Sequence, residues 1–259
     1  RFKSISWVMS FSMALVSLFL ESCNVLNQYQ IFIYDHKLIS FILVGILAIV
    51  CIAVYFLTKK SSSHVCNWNT LVPLGLLISF ALVYVQIPLQ SIVQTDLFES
   101  ANHGLVVSEF LNYGKIPIIE TFDAHMLSQS WGGILFGLVN GDSAGAIFCL
   151  YSRYIIVINV VILYLILKEF FDSDSAFLFC LLLPLSLPIR IFDFAMIAIL
   201  FLLKAIKKDT IRSYLFFWIS LVVICLYRLD NGFAYSAATT TFLLAYVIMK
   251  RRSSLKKAF

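Results

Sequence analysis

The sequence predicts an all-α fold: a polytopic bundle of about eight membrane-spanning helices with one long outer loop that carries amphipathic helices. Three observations predict it. The hydrophobic fraction is 61% and only 13% of residues are charged, where soluble domains hold about a quarter charged residues. Mean hydropathy is +0.94. Apolar runs near the length of about 20 residues that a bilayer demands recur along the chain. All 259 residues read as a single transmembrane domain.

The first run, Ile5–Leu20, follows Arg1 and Lys3. It lacks a small-x-small cleavage signal, and Glu21 does not suit a lipoprotein site. It is therefore read as an uncleaved first span rather than a signal peptide. Leu38–Leu57, Leu71–Val93, Ala144–Leu167 and Gly232–Met249 follow as spans, and Tyr214–Tyr227 is a shorter one. Ala176–Ala205 contains Pro184, Pro188, Arg190 and Asp193 near its middle. Proline breaks a helix interior, so this segment reads as two short helices in a hairpin with its turn near Arg190.

The charges orient these spans. With a cytoplasmic N-terminus, the inner segments collect Lys59, Lys60, Lys168, Lys204, Lys207, Lys208, Arg212 and the basic tail 250–259. The outer segments keep only Lys37, Lys115, Arg190 and Arg228. This is the cytoplasmic excess of Lys and Arg expected of a membrane protein. A single crossing of 176–205 would carry Lys204–Arg212 outside, which favours the hairpin. Both termini are then cytoplasmic, and a bacterial inner (plasma) membrane is the expected location. The chain opens on Arg1 rather than Met, which marks a fragment or a processed form.

The longest loop, 94–143, lies outside. Segments this long between packed elements are often functional. Asp96–Tyr113 reads as a helix ending at Gly114, with Pro117 beyond it. Met126–Leu138, with Trp131, is too short and too glycine-rich to span and suits the membrane interface. The six cysteines form no CxxC pair and mostly sit in apolar runs, so neither a disulfide framework nor a zinc site is expected. No basic stretch is interleaved with aromatics as nucleic-acid surfaces are, which excludes a nucleic-acid partner.

The ionisable residues that could carry chemistry gather on the outer side. Asp96, Glu99 and His103 fall at i, i+3 and i+7, one face of a helix. The bland reading of Asp96 is a helix cap; the functional one is a carboxylate base at the membrane surface. The same trio also permits a divalent ion, Mg or Mn, and the spacing alone leaves metal dependence open. Asp123 and His125 follow in FDAH. Arg190 and Asp193 sit at the hairpin turn, and Arg228 and Asp230 sit in YRLDNG. Each Arg–Asp pair has a bland reading as mutual neutralisation and a functional one in which arginine grips a phosphate. Arg153, within an apolar run, has the bland reading of a snorkelling cation. Four separated segments thus bring acids and bases to one level beside lipid.

These pieces, TDLFE at 95–99, HG at 103–104, GKIP at 114–117, FDAH at 122–125 and YRLDNG at 227–232, resemble those of the C-type-fold integral membrane glycosyltransferases that use polyprenyl-phosphate-linked sugars. The resemblance covers roughly residues 71–235. It implies transfer of a sugar from a lipid-phosphate donor to a glycan, lipid or protein acceptor at the extracytoplasmic face, with inversion at the sugar carbon. It makes Asp96 the base and Glu99, His103, Asp123, His125, Arg190, Asp193, Arg228 and Asp230 substrate-binding residues. Membrane lipids are the other expected partner. The alternatives are a polymerase or ligase of lipid-linked glycans, a transporter or flippase, and a non-catalytic scaffold.

Overall fold

The computed structural model describes residues 2–28, 37–61, 68–85, 97–123, 125–141, 151–186 and 189–250. Among these residues the fold is all-helical, with no strand beyond an isolated bridge between Pro117 and Thr121. The helices are α1 (Phe2–Gln28), α2 (Lys37–Ser61), α3 (Trp68–Val85), α4 (Leu97–Tyr113), α5 (Leu127–Asn140), α6 (Ile155–Leu167), α7 (Ser173–Ser186), α8 (Met196–Lys208), α9 (Ile211–Tyr227) and α10 (Leu229–Lys250).

Helices α1 and α3 run in the same sense. Ser10 Oγ donates to the Gly75 carbonyl at 2.6 Å, and one register further on Ser17 Oγ donates to the Leu82 carbonyl at 3.1 Å. The approach is close because Gly75 has no side chain: a Cβ there would lie 2.9 Å from Ser6 Oγ. Small residues and hydroxyls are what bind helices together where apolar surface gains little from association.

Helix α6 (IIVINVVILYLIL) is apolar on nearly all sides, the pattern of a fully surrounded helix. Its Val160 and Tyr164 pack into a core with Val44, Cys51, Leu76, Leu77, Phe80 and Phe177. Its Ile155 and Ile162 pack into a second core with Ala198, Phe217, Ile224 and Leu243. So α6 joins the N-terminal helices to α8–α10. Cys51 and Cys180 are free and buried in this apolar setting.

The break expected within 176–205 is present: α7 ends at Ser186 and α8 begins at Met196. A 3-10 turn, Ile191–Ala195, begins α8 directly after Arg190. The α6 side chain of Asn159 ties that turn down, its Nδ2 donating to the Arg190 carbonyl at 2.9 Å. Helix α8 ends where Asp209 takes a left-handed conformation, φ 45°. Thr210 then caps α9, exchanging hydrogen bonds with Ser213, a reciprocal cap that satisfies N–H groups the first turn leaves free.

Arg228 alone separates α9 from α10. The turn is this tight because Gly232 lies against α9, where a Cβ would stand 2.5 Å from Cys225 Cα. Lys59, near the end of α2, pairs with Asp174 at the start of α7, and Lys207, near the end of α8, with Glu169 just after α6.

Two helices are long and apolar enough to cross a membrane, over Ile42–Lys59 and Leu229–Lys250. Several of the other apolar helices are shorter: α6 and α8 have 13 residues each, about 20 Å at a rise of 1.5 Å per residue, against a hydrocarbon thickness of about 30 Å. Helix length therefore does not by itself carry the expected count of eight spans. Parts of two expected spans, 86–93 and 144–150, lie outside the described residues.

Candidate functional site

Helix α4 ends as its sequence suggests. Gly114 adopts φ +68°, and its N–H bonds the Phe110 carbonyl at 3.0 Å, a left-handed stop that glycine makes without steric cost. Thirteen residues later comes the first residue of α5. The segment between does not make a simple antiparallel corner. His103 meets Asp123, and Leu111 meets Gly137, so contacts advance along α4 and α5 together. The chain doubles back along α4 before α5 starts, and the two helices run side by side in one sense.

That return places Asp123 deep. It is 5% exposed, and both its oxygens are engaged. Oδ1 accepts the His125 backbone N–H at 2.7 Å, the turn that Asp makes with its own backbone. Oδ2 faces Nδ1 of His103. The loop is held in unusual backbone: Ile118 has φ 73° and Met126 φ 54°, a left-handed region costly for a β-branched residue. Hydrogen bonds over-determine it, with Ile118 N–H on the Thr121 carbonyl at 2.8 Å and the Glu120 carboxylate on the Ile116 N–H at 2.7 Å.

The His125 ring lies against His103, ring centres 5.3 Å apart, and Asp230 at the start of α10 lies within electrostatic range of it. Asp230 in turn accepts Arg228 Nε at 2.9 and 3.2 Å and the Asn231 N–H at 2.7 Å. Arg228 is 8% exposed. His103, Asp123, His125, Asp230 and Arg228 thus form one connected group, drawn from α4, the return loop, the α9–α10 turn and the start of α10.

Next to it, Tyr227 packs against Phe194 of the α8 turn, ring centres 4.7 Å apart. The buried indole N–H of Trp131 faces the Tyr227 phenol without reaching hydrogen-bond geometry. The Thr121 hydroxyl and the Asn159 carbonyl are buried without a partner. Sequence reasoning did not single out Thr121, Tyr227 or Asn159. A lone Asn in IIVINVV is a signal that could have found one of them; Tyr227 and Thr121 carry none.

No family model, curated protein or solved structure matches the chain.

The expected site residues divide as follows. His103, Asp123, His125, Arg228 and Asp230 come together. Arg228 and Asp230 form the ion pair of the bland reading. Arg190 and Asp193 differ from theirs: the Asp193 carboxylate takes the Arg190 backbone N–H at 2.6 Å, because Asp193 sits where the 3-10 turn opens and satisfies its free N–H. Arg190 is exposed, on the turn that reaches Tyr227 through Phe194. Asp96 lies outside the described residues, as does the side chain of Glu99, so of the helix-face trio only His103 is placed. Among the described residues no three His, Cys, Asp or Glu side chains converge to hold a metal ion. The described donors do not fit one, since Asp123 has spent both oxygens and His103 directs Nδ1 at it.

Proposed function

We propose that the protein is an integral membrane glycosyltransferase, moving a sugar from a polyprenyl-phosphate donor to a glycan, lipid or protein acceptor at the extracytoplasmic face. The observation that carries the proposal is the gathering of His103, Asp123, His125, Asp230 and Arg228 at one end of an apolar helical assembly. A buried arginine fork and a carboxylate-held imidazole are the groups this reaction needs. The arginine balances the charge that grows on the departing lipid phosphate, and a base takes the acceptor proton.

The membrane setting supports the donor class. Large apolar side chains stand exposed along α1, α2, α9 and α10, among them Phe11 at 69%, Ile49 at 67% and Ile248 at 75%. Contiguous apolar surface on this scale suits contact with lipid. In this reading the eight helices α1–α3 and α6–α10 cross the bilayer, with the Lys59 and Lys207 ion pairs at the cytoplasmic end. Helices α4 and α5 lie at the outer surface. The polyprenyl lipid approaches sideways from the bilayer, with Arg228 and the outer turn at Arg190 near its phosphate.

The test is thermal unfolding of the detergent-solubilised protein with a long-chain polyprenyl phosphate. Ligand at 100 times its dissociation constant stabilises a fold by about 2.7 kcal/mol. The expected result is a rise in Tm that is lost in Arg228→Gln. An unchanged Tm at every lipid concentration, in a folded sample, removes the donor class and the function with it.

A further inference from the structure

We infer that His103, positioned by Asp123, is the base that deprotonates the acceptor hydroxyl, in place of the carboxylate Asp96 that the family resemblance implies. This rests on the glycosyl-transfer reading. The geometry is specific. The Asp123 side chain is 3% exposed, whereas that of His103 is 18% exposed. A buried carboxylate whose Oδ2 faces Nδ1 accepts a hydrogen bond there, so the neutral imidazole carries its hydrogen on Nδ1 and its lone pair on Nε2. Asp123 cannot rotate away, because Oδ1 is held by the His125 N–H at 2.7 Å. The inner nitrogen is therefore fixed and the outer one is free to act, the arrangement in which a carboxylate sets tautomer and orientation for a histidine base.

The groups facing His103 suit that role. The His125 ring stands 5.3 Å away and is itself within the field of Asp230, whose carboxylate holds Arg228 Nε at 2.9 Å. Base and arginine thus belong to one cluster, linked through His125 and Asp230.

The step balances. The acceptor oxygen forms a bond to the sugar anomeric carbon as that carbon's bond to the phosphate oxygen breaks. The bonding pair leaves with the polyprenyl phosphate. The hydroxyl proton passes to Nε2, and the resulting imidazolium keeps its Nδ1 hydrogen on Asp123. Water at the outer surface later takes the Nε2 proton and restores the base.

The experiment measures transfer of labelled hexose from polyprenyl-phosphate hexose to an alkyl glycoside by the full chain, in wild type, His103→Ala and Asp123→Asn. His103→Ala is expected to lower kcat about 10²- to 10⁴-fold with little change in KM, and added imidazole is expected to restore a substantial part of it. A residue that only supports the fold shows no such rescue. Asp123→Asn is expected to lower kcat as well, because its amide can donate to Nδ1 and move the hydrogen to Nε2; it serves as the second variant if His103→Ala does not fold. A folded His103→Ala protein with wild-type kcat, or one that imidazole does not rescue, overturns the assignment while leaving the enzyme reading intact. Wild type that transfers nothing overturns the enzyme reading itself.

Discussion

Gly232 offers a sharp test of how the site is held. A Cβ at this position would lie 2.5 Å from Cys225 Cα, 2.7 Å from Cys225 N and 2.9 Å from the Ile224 carbonyl carbon. Comfortable carbon contacts begin near 3.5 Å, so Gly232→Ala forces α9 and α10 about 1 Å apart. The obstructing atoms are backbone, which cannot swing aside as a side chain can. Overpacking of this kind costs about 1–3 kcal/mol. Against it, alanine gains up to about 1 kcal/mol over glycine as a helix former. The net expectation is a loss of about 1–2 kcal/mol, or several degrees in Tm for a chain of this size. The control is Gly45→Ala in α2, where nothing lies within 4 Å of the new Cβ. That variant collects the helix-forming gain alone and should be neutral or slightly stabilised. Differential scanning fluorimetry of both proteins in one detergent decides the matter. A Gly232→Ala protein as stable as Gly45→Ala would refute the close approach, and with it the account of why Arg228 is held where it is.

Other expectations follow from single contacts. Thr210→Ala removes the side chain that accepts the Ser213 N–H and should cost about 1 kcal/mol, read as a lower Tm that Thr210→Ser largely recovers. Lys115 bonds Glu109 at 2.9 Å, and that carboxylate raises the amine above its ordinary value of 10.5. A raised amine contributes stability that is fully present below the unfolded value and is lost as pH climbs through the folded one. The Tm difference between wild type and Lys115→Gln should therefore be constant near neutrality and close above about pH 10.5; a difference that instead closes on acidification to pH 6 would rule the ion pair out as its source.

Parts of this architecture were legible in the chain because they depend on neighbours in sequence. Gly114 and Pro117 stop α4 by local backbone rules. The prolines and charges within 176–205 divide it, and the turn forms beside Arg190 as expected. The Arg228–Asp230 pair needs only two residues of separation. At Arg190 and Asp193 an equally local rule acts: the carboxylate takes the Arg190 N–H that the opening of the 3-10 turn leaves free.

The candidate site was legible only as a set of residue types. By itself the sequence determined an apolar, helical chain, the stop of α4 at Gly114 and the residues able to carry charge, because periodicity, capping and hydropathy act over a few residues. Only the tertiary structure decided that the chain doubles back after α4, so that Asp123, twenty residues from His103, comes to fix its imidazole. It also decided that α5 runs beside α4 in the same sense, and that Gly232 draws α10 against α9 to bring Asp230 within the field of His125. Those choices depend on packing between segments far apart in sequence, and no local pattern encodes the distance between them.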